Sequence, residues 1–286
     1  MQAIRPTQPV QPGRPVPTGP DLTVTARPLR TQGEREDAVG LYRQVFGLGS
    51  GDPAMTPKLL VALQRNGGSA LGAFDPSGRL VGFTYGFVGT QDGATYHYSQ
   101  AAVVDAAAQG RGVGRVLKRA QAAEASRAGV RAMRWAYDPM LSRNAHFNLD
   151  VLGAHGRWFV RDYYGLTDAA GRSDRVIVEW RTDSEVSDAT RKVAGPAEQF
   201  GDDLDLEWGT IRTVPSGAGA GDGRLLAVPA RWGARDGLDP ALAGDVRDRV
   251  ADALEGALDA GYVLTSCRRV TPDTAVYLLA HAGDVR

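Results

Sequence analysis

The stretch Gln109-Gly110-Arg111-Gly112-Val113-Gly114 (QGRGVG, 109–114) stands between an apolar run that ends at Val104 and a run of small and basic residues. The run Thr95 to Val104 reads as a strand. Behind the loop, Val113, Val116, Leu117 and Ala120 fall at i, i+3, i+4 and i+7, which predicts an amphipathic helix over 112–128 closed by Gly129. A helix that starts at a glycine loop presents free backbone N–H groups and the positive end of its dipole. Glycines let an anion approach the main chain without a Cβ in the way. Gln109, Arg111 and Arg115 are side-chain donors beside it, and arginine suits bidentate phosphate contact. The loop therefore reads as a cradle for a phosphate or diphosphate. Its G-x-G-x-G spacing is not the G-x-G-x-x-G of dinucleotide folds, and no Gly-Lys-Ser/Thr follows as a P-loop requires. For the glycines alone, a plain turn without a ligand is the competing reading.

Working outward, apolar and polar residues alternate through 22–29 (LTVTARPL), predicting a strand. Gln32 to Phe46 reads as a helix with Val39, Tyr42, Val45 and Phe46 on one face. Thr56-Pro57 opens a second helix, with Thr as N-cap and Pro at the first helical position. Ala70 to Phe74 and Leu80 to Val88 are strands joined by the turn Asp75-Pro76-Ser77-Gly78. After the loop and its helix, Met133, Trp135 and Tyr137 alternate along a fifth strand. Ser142 is read as the cap of a helix to Gly153, and Trp158 to Tyr164 and Arg175 to Trp180 as two more strands. The order β-α-α-β-β-β-α-β-α-β-β predicts an α+β fold, a mixed sheet with flanking helices.

The ends of the chain read differently. Residues 1–20 carry Pro6, Pro9, Pro12, Pro15, Pro17 and Pro20 and little to bury, as expected of a disordered leader. Residues 182–200 are polar and weakly periodic, a linker or crossing segment. Beyond it, strands over 204–214 and 224–229 flank a Gly-rich loop at 217–223. Asp239-Pro240 starts a helix to Gly261, and strands over 262–270 and 274–280 complete a smaller β-β-α-β-β unit. The expected domains are 1–20, 21–183 and 184–286.

The chain's 286 residues are long enough for one large or two modest domains. Lys+Arg and Asp+Glu are 33 each, so no charge excess points to nucleic acid or an anionic membrane. The single cysteine, Cys267, excludes an internal disulfide and reads as a buried structural thiol. No apolar run reaches the ~18 residues of a membrane span. The N-terminal stretch lacks the apolar segment of a signal peptide. The expectation is a soluble, cytoplasmic protein.

A second segment carries chemistry as well. Asp138-Pro139-Met140-Leu141-Ser142-Arg143-Asn144-Ala145-His146-Phe147-Asn148, followed by Leu152-Gly153-Ala154, resembles a bacterial group of GNAT-superfamily acetyltransferases with D-P-L-x-S-x-N-A-x-F-N…L-G-A after the fifth strand. Gln109-x-x-Gly112-x-Gly114 after a strand and before a helix is similar to that superfamily's acyl-CoA diphosphate loop. The resemblance covers residues 22–181, a little over half the chain. It implies a mostly antiparallel mixed sheet whose fourth and fifth strands splay, with pantetheine lying between them. The backbone of Ala102, Val103 and Val104 would pair with pantetheine, one N–H there polarising the thioester carbonyl. Gln109, Gly110, Arg111, Gly112, Val113, Gly114 and Arg115 would hold the diphosphate, and Asn144 would contact the cofactor. Acetyl-CoA or another acyl-CoA is the implied co-substrate, with no metal.

Transfer from a thioester to an amine requires a neutral amine, a base or water relay for its proton, and in some cases an acid for the thiolate. Many relatives carry that acid as a tyrosine four positions before the glycine at Gly153; here the residue is Leu149. Tyr164 is the substitute candidate, with packing as its competing reading. His97, on the fourth strand beside Ser99, is the candidate base, because its ordinary pKa suits the task. A packed or surface histidine is the plain alternative. His146 points about 160–200° from Asn144 around the helix and reads as structural. Asn148 follows Asn144 by four and would share its face. With Arg143 and Asp138 it is read as orienting a polar acyl chain or an amino-acid carboxylate, against a solvated cap cluster. Arg157, Arg161, Tyr163 and Tyr164 form a second carboxylate-pocket candidate. Four scattered histidines and one cysteine show no metal-ligand spacing.

The expected function is acyl-CoA-dependent N-acylation of a small-molecule amine such as an amino acid, with acetyl or succinyl as the acyl group. The alternative is a catalytically weak acyl-CoA-binding module with a recognition or assembly role. A nucleotide-binding protein is a third and poorer reading, against which the glycine spacing argues. The C-terminal unit is expected to cap the acceptor side or to form a homodimer contact.

Overall fold

The computed structural model describes residues 23–49, 51–165, 172–182, 207–214, 222–232 and 239–285. The leader 1–20, most of the linker at 182–200 and the Gly-rich loop up to residue 221 lie outside the described residues. The chain divides within its fifth strand, between Trp135 and Ala136, into two compact units.

The first unit contains β1 (Thr25–Pro28), α1 (Gln32–Phe46), α2 (Pro57–Arg65), β2 (Ser69–Phe74), β3 (Leu80–Gln91), β4 (Ala94–Val104) and α3 (Val113–Arg127), and it ends in the first part of β5 (Ala132–Tyr137). The strands run β1-β2-β3-β4-β5, antiparallel except for the parallel pair β4–β5. α1 begins at a reciprocal cap: the Glu34 N–H donates to the Thr31 hydroxyl, and the Glu34 carboxylate accepts from the Thr31 N–H. α2 begins as its Thr56-Pro57 signature requires, with the Thr56 hydroxyl accepting from the Leu59 N–H at 3.2 Å. In the β2–β3 turn, Asp75 Oδ1 accepts from the N–H groups of Ser77 and Arg79.

Alternation along these strands divides the apolar residues between two faces. Ala70, Phe83 and Val103 pack with Leu29, Ala38, Leu41 and Leu60 around α1 and α2. Ala73, Val81 and Val104 pack with Val113 and Leu117 of α3 on the other face. Fully burying a side chain such as Leu117 is worth about 1.5–3 kcal/mol. That packing fixes the helix behind the glycine loop.

The second unit holds the end of β5, α4 (Ser142–His146) with a π-turn (Phe147–Val151), β6 (His155–Val160) and, up to Trp180, β7 (Arg175–Arg181). After them come β8 (Ile211–Val214), β9 (Gly223–Pro229), α5 (Pro240–Asp259), β10 (Tyr262–Arg269) and β11 (Thr274–His281). Its strand order is β7-β6-β10-β11-β9-β8. Where the sequence reading sets a domain boundary at 183/184, β6 and β7 group instead with the C-terminal strands. The reason is the antiparallel pairing of β10 with β6 at Leu264↔Gly156. Val246, Val250 and Leu254 of α5 are fully buried, as are Leu225, Val276 and Tyr277 of the sheet.

Several expected boundaries move. β6 ends at Val160 rather than Tyr164, because Arg161 to Tyr164 form a turn with Asp162 at φ 44°. The strand expected over 204–214 starts only at Ile211, after a turn at Trp208 and Gly209. Ser142 is not the cap of α4 but its first residue, and its hydroxyl donates instead to the Ala230 carbonyl at 3.0 Å. The helix to Gly153 is not α throughout: at Phe147 it widens, and the Leu152 N–H reaches back five residues to the Phe147 carbonyl.

Candidate functional site

In the first unit, β4 keeps β3 along one side through Gly82↔Val104. On its other side the parallel pairing with β5 consists of His97↔Met133 and Tyr98↔Arg134. Among the described residues of this unit, the flank of β4 from Ser99 to Val104 therefore has no strand beside it. Unpaired N–H and C=O groups on such a flank are available to a ligand that runs like an extra strand. A β-bulge sits at the start of this open half: Gly86 faces Ser99 and Tyr85 faces Ala101, leaving Gln100 as the extra, exposed residue. Of the three residues expected to pair with pantetheine, Ala102 is exposed, Val104 half-buried and Val103 buried in the α1–α2 core.

Beyond Val104 a single 3₁₀ turn (Ala106–Ala108), capped by Asp105, leads into the glycine loop. Gly110 and Gly112 have φ of 72° and 78°, the left-handed region in which only glycine sits without strain. Gly112 is the residue before α3, and no side chain caps that end. The Val116 N–H is bonded to the Gly112 carbonyl, so the preceding N–H groups of the first turn have no partner within the helix. Val113 is buried against the sheet, while Gly110 is exposed and Arg111, Gly112, Gly114 and Arg115 are half-buried. The side chain of Gln109 turns inward: its Nε2 donates to the Val104 carbonyl at 3.2 Å, tying the loop to the end of β4. This geometry fits an anion with several acceptor oxygens, because the N–H groups, the dipole end and Arg111 converge on one loop.

His97 lies under α3. Its side chain is buried at 2% exposure, and Nε2 is 2.9 Å from the Ser69 hydroxyl. Gln121 of α3 donates to the same hydroxyl and accepts from Thr84. Desolvation, and then the Lys118 charge, push the His97 pKa down to about 4, so the ring is neutral near pH 7. The expected neighbour Ser99 is buried too, accepting from the Lys118 amine at 2.7 Å. Lys118, 4% exposed, lies with Nζ 3.9 Å from the centre of the Trp135 ring, and burial lowers its pKa to about 7. Lys118 is the residue sequence reasoning missed. Its i+5 place after Val113 on α3 was the available signal, since the helix face that carries Leu117 and Gln121 also buries it.

The remaining candidates belong to the second unit. Asn144 and Arg143 are exposed on α4, whereas Asn148 is buried. The π-turn removes the expected shared face of Asn144 and Asn148, since residues beyond Phe147 no longer follow α spacing. His146 Nδ1 meets Asp150 Oδ2 at 3.0 Å and the Cys267 carbonyl at 3.1 Å. Asp150 also accepts from the Ser266 hydroxyl, the Cys267 N–H and Arg268. Tyr164 is 44% exposed in the turn after β6, with Tyr163 packed edge-on against it. Arg157 is paired with Glu179, and Arg161 with Asp252 and Glu255, so the expected carboxylate pocket is already occupied by the unit's own acids. Cys267 is buried, and desolvation raises its thiol pKa, which keeps it protonated. Among the described residues no three His, Cys, Asp or Glu side chains converge to hold a metal ion, and no helix is long and apolar enough to cross a membrane.

Neither a family model nor a curated protein matches the sequence. Solved structures do. The chain is similar to the ribosomal-protein-S18-alanine N-acetyltransferase from Escherichia coli, at 17% identity over 58% of this chain and 98% of that one, with a TM-score of 0.44. It is similar to a GNAT superfamily phosphinothricin acetyltransferase from Sinorhizobium meliloti in complex with acetyl-CoA, at 15% identity over 60% and 97%, TM-score 0.47. An N-acetyltransferase from Staphylococcus aureus is similar at 15% identity over 56% and 99%, TM-score 0.45.

Proposed function

We propose that the chain is a GNAT-type N-acyltransferase that binds acetyl-CoA, or another acyl-CoA, and passes the acyl group to the amine of a small molecule. One observation carries the reading: β4 parts from β5 after Tyr98↔Arg134 and runs, open on one flank, into two left-handed glycines ahead of an uncapped helix. An extended amide chain ending in a diphosphate has the shape and chemistry for that flank and that loop. Ala102 and Val104 supply backbone groups for the amide chain, those of Val103 facing β3 instead, and Gly110 to Gly114 with Arg111 supply donors for the diphosphate. In the proposed step the acceptor nitrogen attacks the thioester carbonyl, the amide bond forms, the C–S bond breaks, and the thiol of coenzyme A leaves with a proton from the amine. A backbone N–H near the bulge at Gln100 would stabilise the oxyanion. Incubating the chain with acetyl-CoA or succinyl-CoA and a panel of amines tests the reading. Acceptor-dependent release of free thiol is the expected result, and no release with any amine would overturn turnover.

The burial of His97 favours a second reading, an acyl-CoA-binding module with little catalytic power. A base sealed under α3 at 2% exposure has no path to an amine proton. In that case acyl-CoA binds with normal stoichiometry while thiol release stays at the background rate.

A further inference from the structure

We propose that Lys118 is a positioning residue that sets the spread of β4 from β5 at the point where the two strands part. The inference rests on the reading that acyl-CoA uses the open flank of β4. The last paired positions of the two strands are Tyr98↔Arg134, and the next in register are Ser99 and Trp135. Lys118 touches both. Its Nζ donates to the Ser99 hydroxyl over 2.7 Å and rests 3.9 Å from the Trp135 ring centre. Neither side chain can close on the other without expelling the amine, and Ser99 adjoins the bulged Gln100, where the flank opens.

The cost of placing an amine there makes a mere filler role a poor account. The side chain is 4% exposed, and its polar contacts are one hydroxyl and one aromatic face, with no carboxylate in ion-pair range among the described residues. A leucine or methionine would fill the same space without desolvating a charge. The ammonium–indole contact recovers part of that cost when desolvated. What an apolar side chain cannot do is hold a hydroxyl and a ring at once, at two fixed distances. The other titratable group that interacts with Lys118 is His97, from β4, whose own hydrogen-bonded partners, Ser69 of β2 and through it Gln121 of α3 and Thr84 of β3, carry no charge. Burial lowers the Lys118 pKa to about 7, so its charge changes in the neutral range. The charged form grips Ser99 and the Trp135 face more strongly and favours an anionic ligand nearby.

The chain contains three lysines, Lys58, Lys118 and Lys192, so a spectrum of the protein labelled at lysine Cε resolves Lys118. The test combines that signal with acetyl-CoA titrations of wild type, Lys118→Met and Ser99→Ala between about pH 6 and 8. Wild type is expected to bind more tightly at the acid end, and the Lys118 signal to move on adding acetyl-CoA. Both variants are expected to bind about 10-fold more weakly, and Lys118→Met to lose the pH dependence as well. Wild-type affinity and pH profile in both variants would overturn the positioning role while leaving the acyl-CoA reading intact. Should Lys118→Met not fold, Ser99→Ala and the wild-type Lys118 signal decide in the same way. No acetyl-CoA binding by wild type would sink the acyl-CoA reading and this role together.

Discussion

The side-chain amide of Gln109 donates to the carbonyl of Val104 across 3.2 Å, fastening the glycine loop to the last residue of β4. A hydrogen bond of this kind contributes about 0.5–1.5 kcal/mol. Gln109→Ala is therefore expected to weaken acetyl-CoA binding by roughly 2- to 10-fold, with little change in melting temperature. Calorimetric titration of the variant checks this, and unchanged affinity would remove the loop anchor from the account.

Two glycines at opposite ends of α3 separate strain from ligand contact. Gly112 and Gly129 both have φ of 78°. A residue with a side chain costs about 1–2 kcal/mol at either place. Gly112→Ala and Gly129→Ala are expected to lower the melting temperature by similar amounts, a few degrees. Only Gly112→Ala is expected to lower acetyl-CoA affinity, by an order of magnitude or more, because only that backbone belongs to the proposed diphosphate loop. Equal affinity losses in the two variants would point to general destabilisation instead.

His97 leaves a signature in the pH dependence of stability. Its folded pKa, about 4, lies below the ordinary value of 6.5. Between those values the unfolded chain binds a proton that the folded chain does not, so stability rises with pH across this window and is lost on acidification. The effect is at most about 3 kcal/mol, from the size of the shift. Urea unfolding of wild type and His97→Gln from pH 4 to 7 should show an acid limb that is shallower in the variant.

The pair His146–Asp150 has the opposite sign. The hydrogen bond that His146 donates to the Asp150 carboxylate raises the His146 pKa, with burial opposing it. Its stabilisation is fully present below pH 6.5 and fades as pH rises through the folded value. Burial works to raise the Asp150 pKa, but bonds from His146, Ser266 and the Cys267 N–H hold it below the usual carboxylate value. Asp150→Asn is expected to destabilise the second unit by about 1–3 kcal/mol, the penalty for leaving buried polar partners unmatched. It should also bring the His146 titration down toward 6.5, as read by proton NMR of the imidazole. A His146 pKa unmoved by the substitution would contradict the pairing.

Local chemistry explains why much of this was legible in the sequence. Gln32 to Phe46 carries its own start signal at Thr31 and Glu34 and stops at Gly47, and Thr56-Pro57 and Asp239-Pro240 mark two more helix starts. The glycine loop was legible for the same reason, since Gly110 and Gly112 meet a backbone demand confined to six residues. Contacts set by tertiary packing were not. The π-turn at Phe147 holds Asp150 against Ser266, Cys267 and Arg268, partners more than a hundred positions away. Lys118 became buried because Val113 and Leu117 seat α3 on the sheet, and an isolated lysine in a helix ordinarily reads as a solvated one. The same packing drew His97 inward, where strand alternation alone left both faces open.

Whether acyl-CoA binds at the glycine loop is decided by titrating the full chain with acetyl-CoA in a calorimeter, beside Gly112→Ala. Saturable one-to-one binding by wild type is expected, competed by free coenzyme A and lost or sharply weakened in the variant. Absence of binding by folded wild-type protein at millimolar acetyl-CoA, or equal binding by the variant, would contradict binding at the loop.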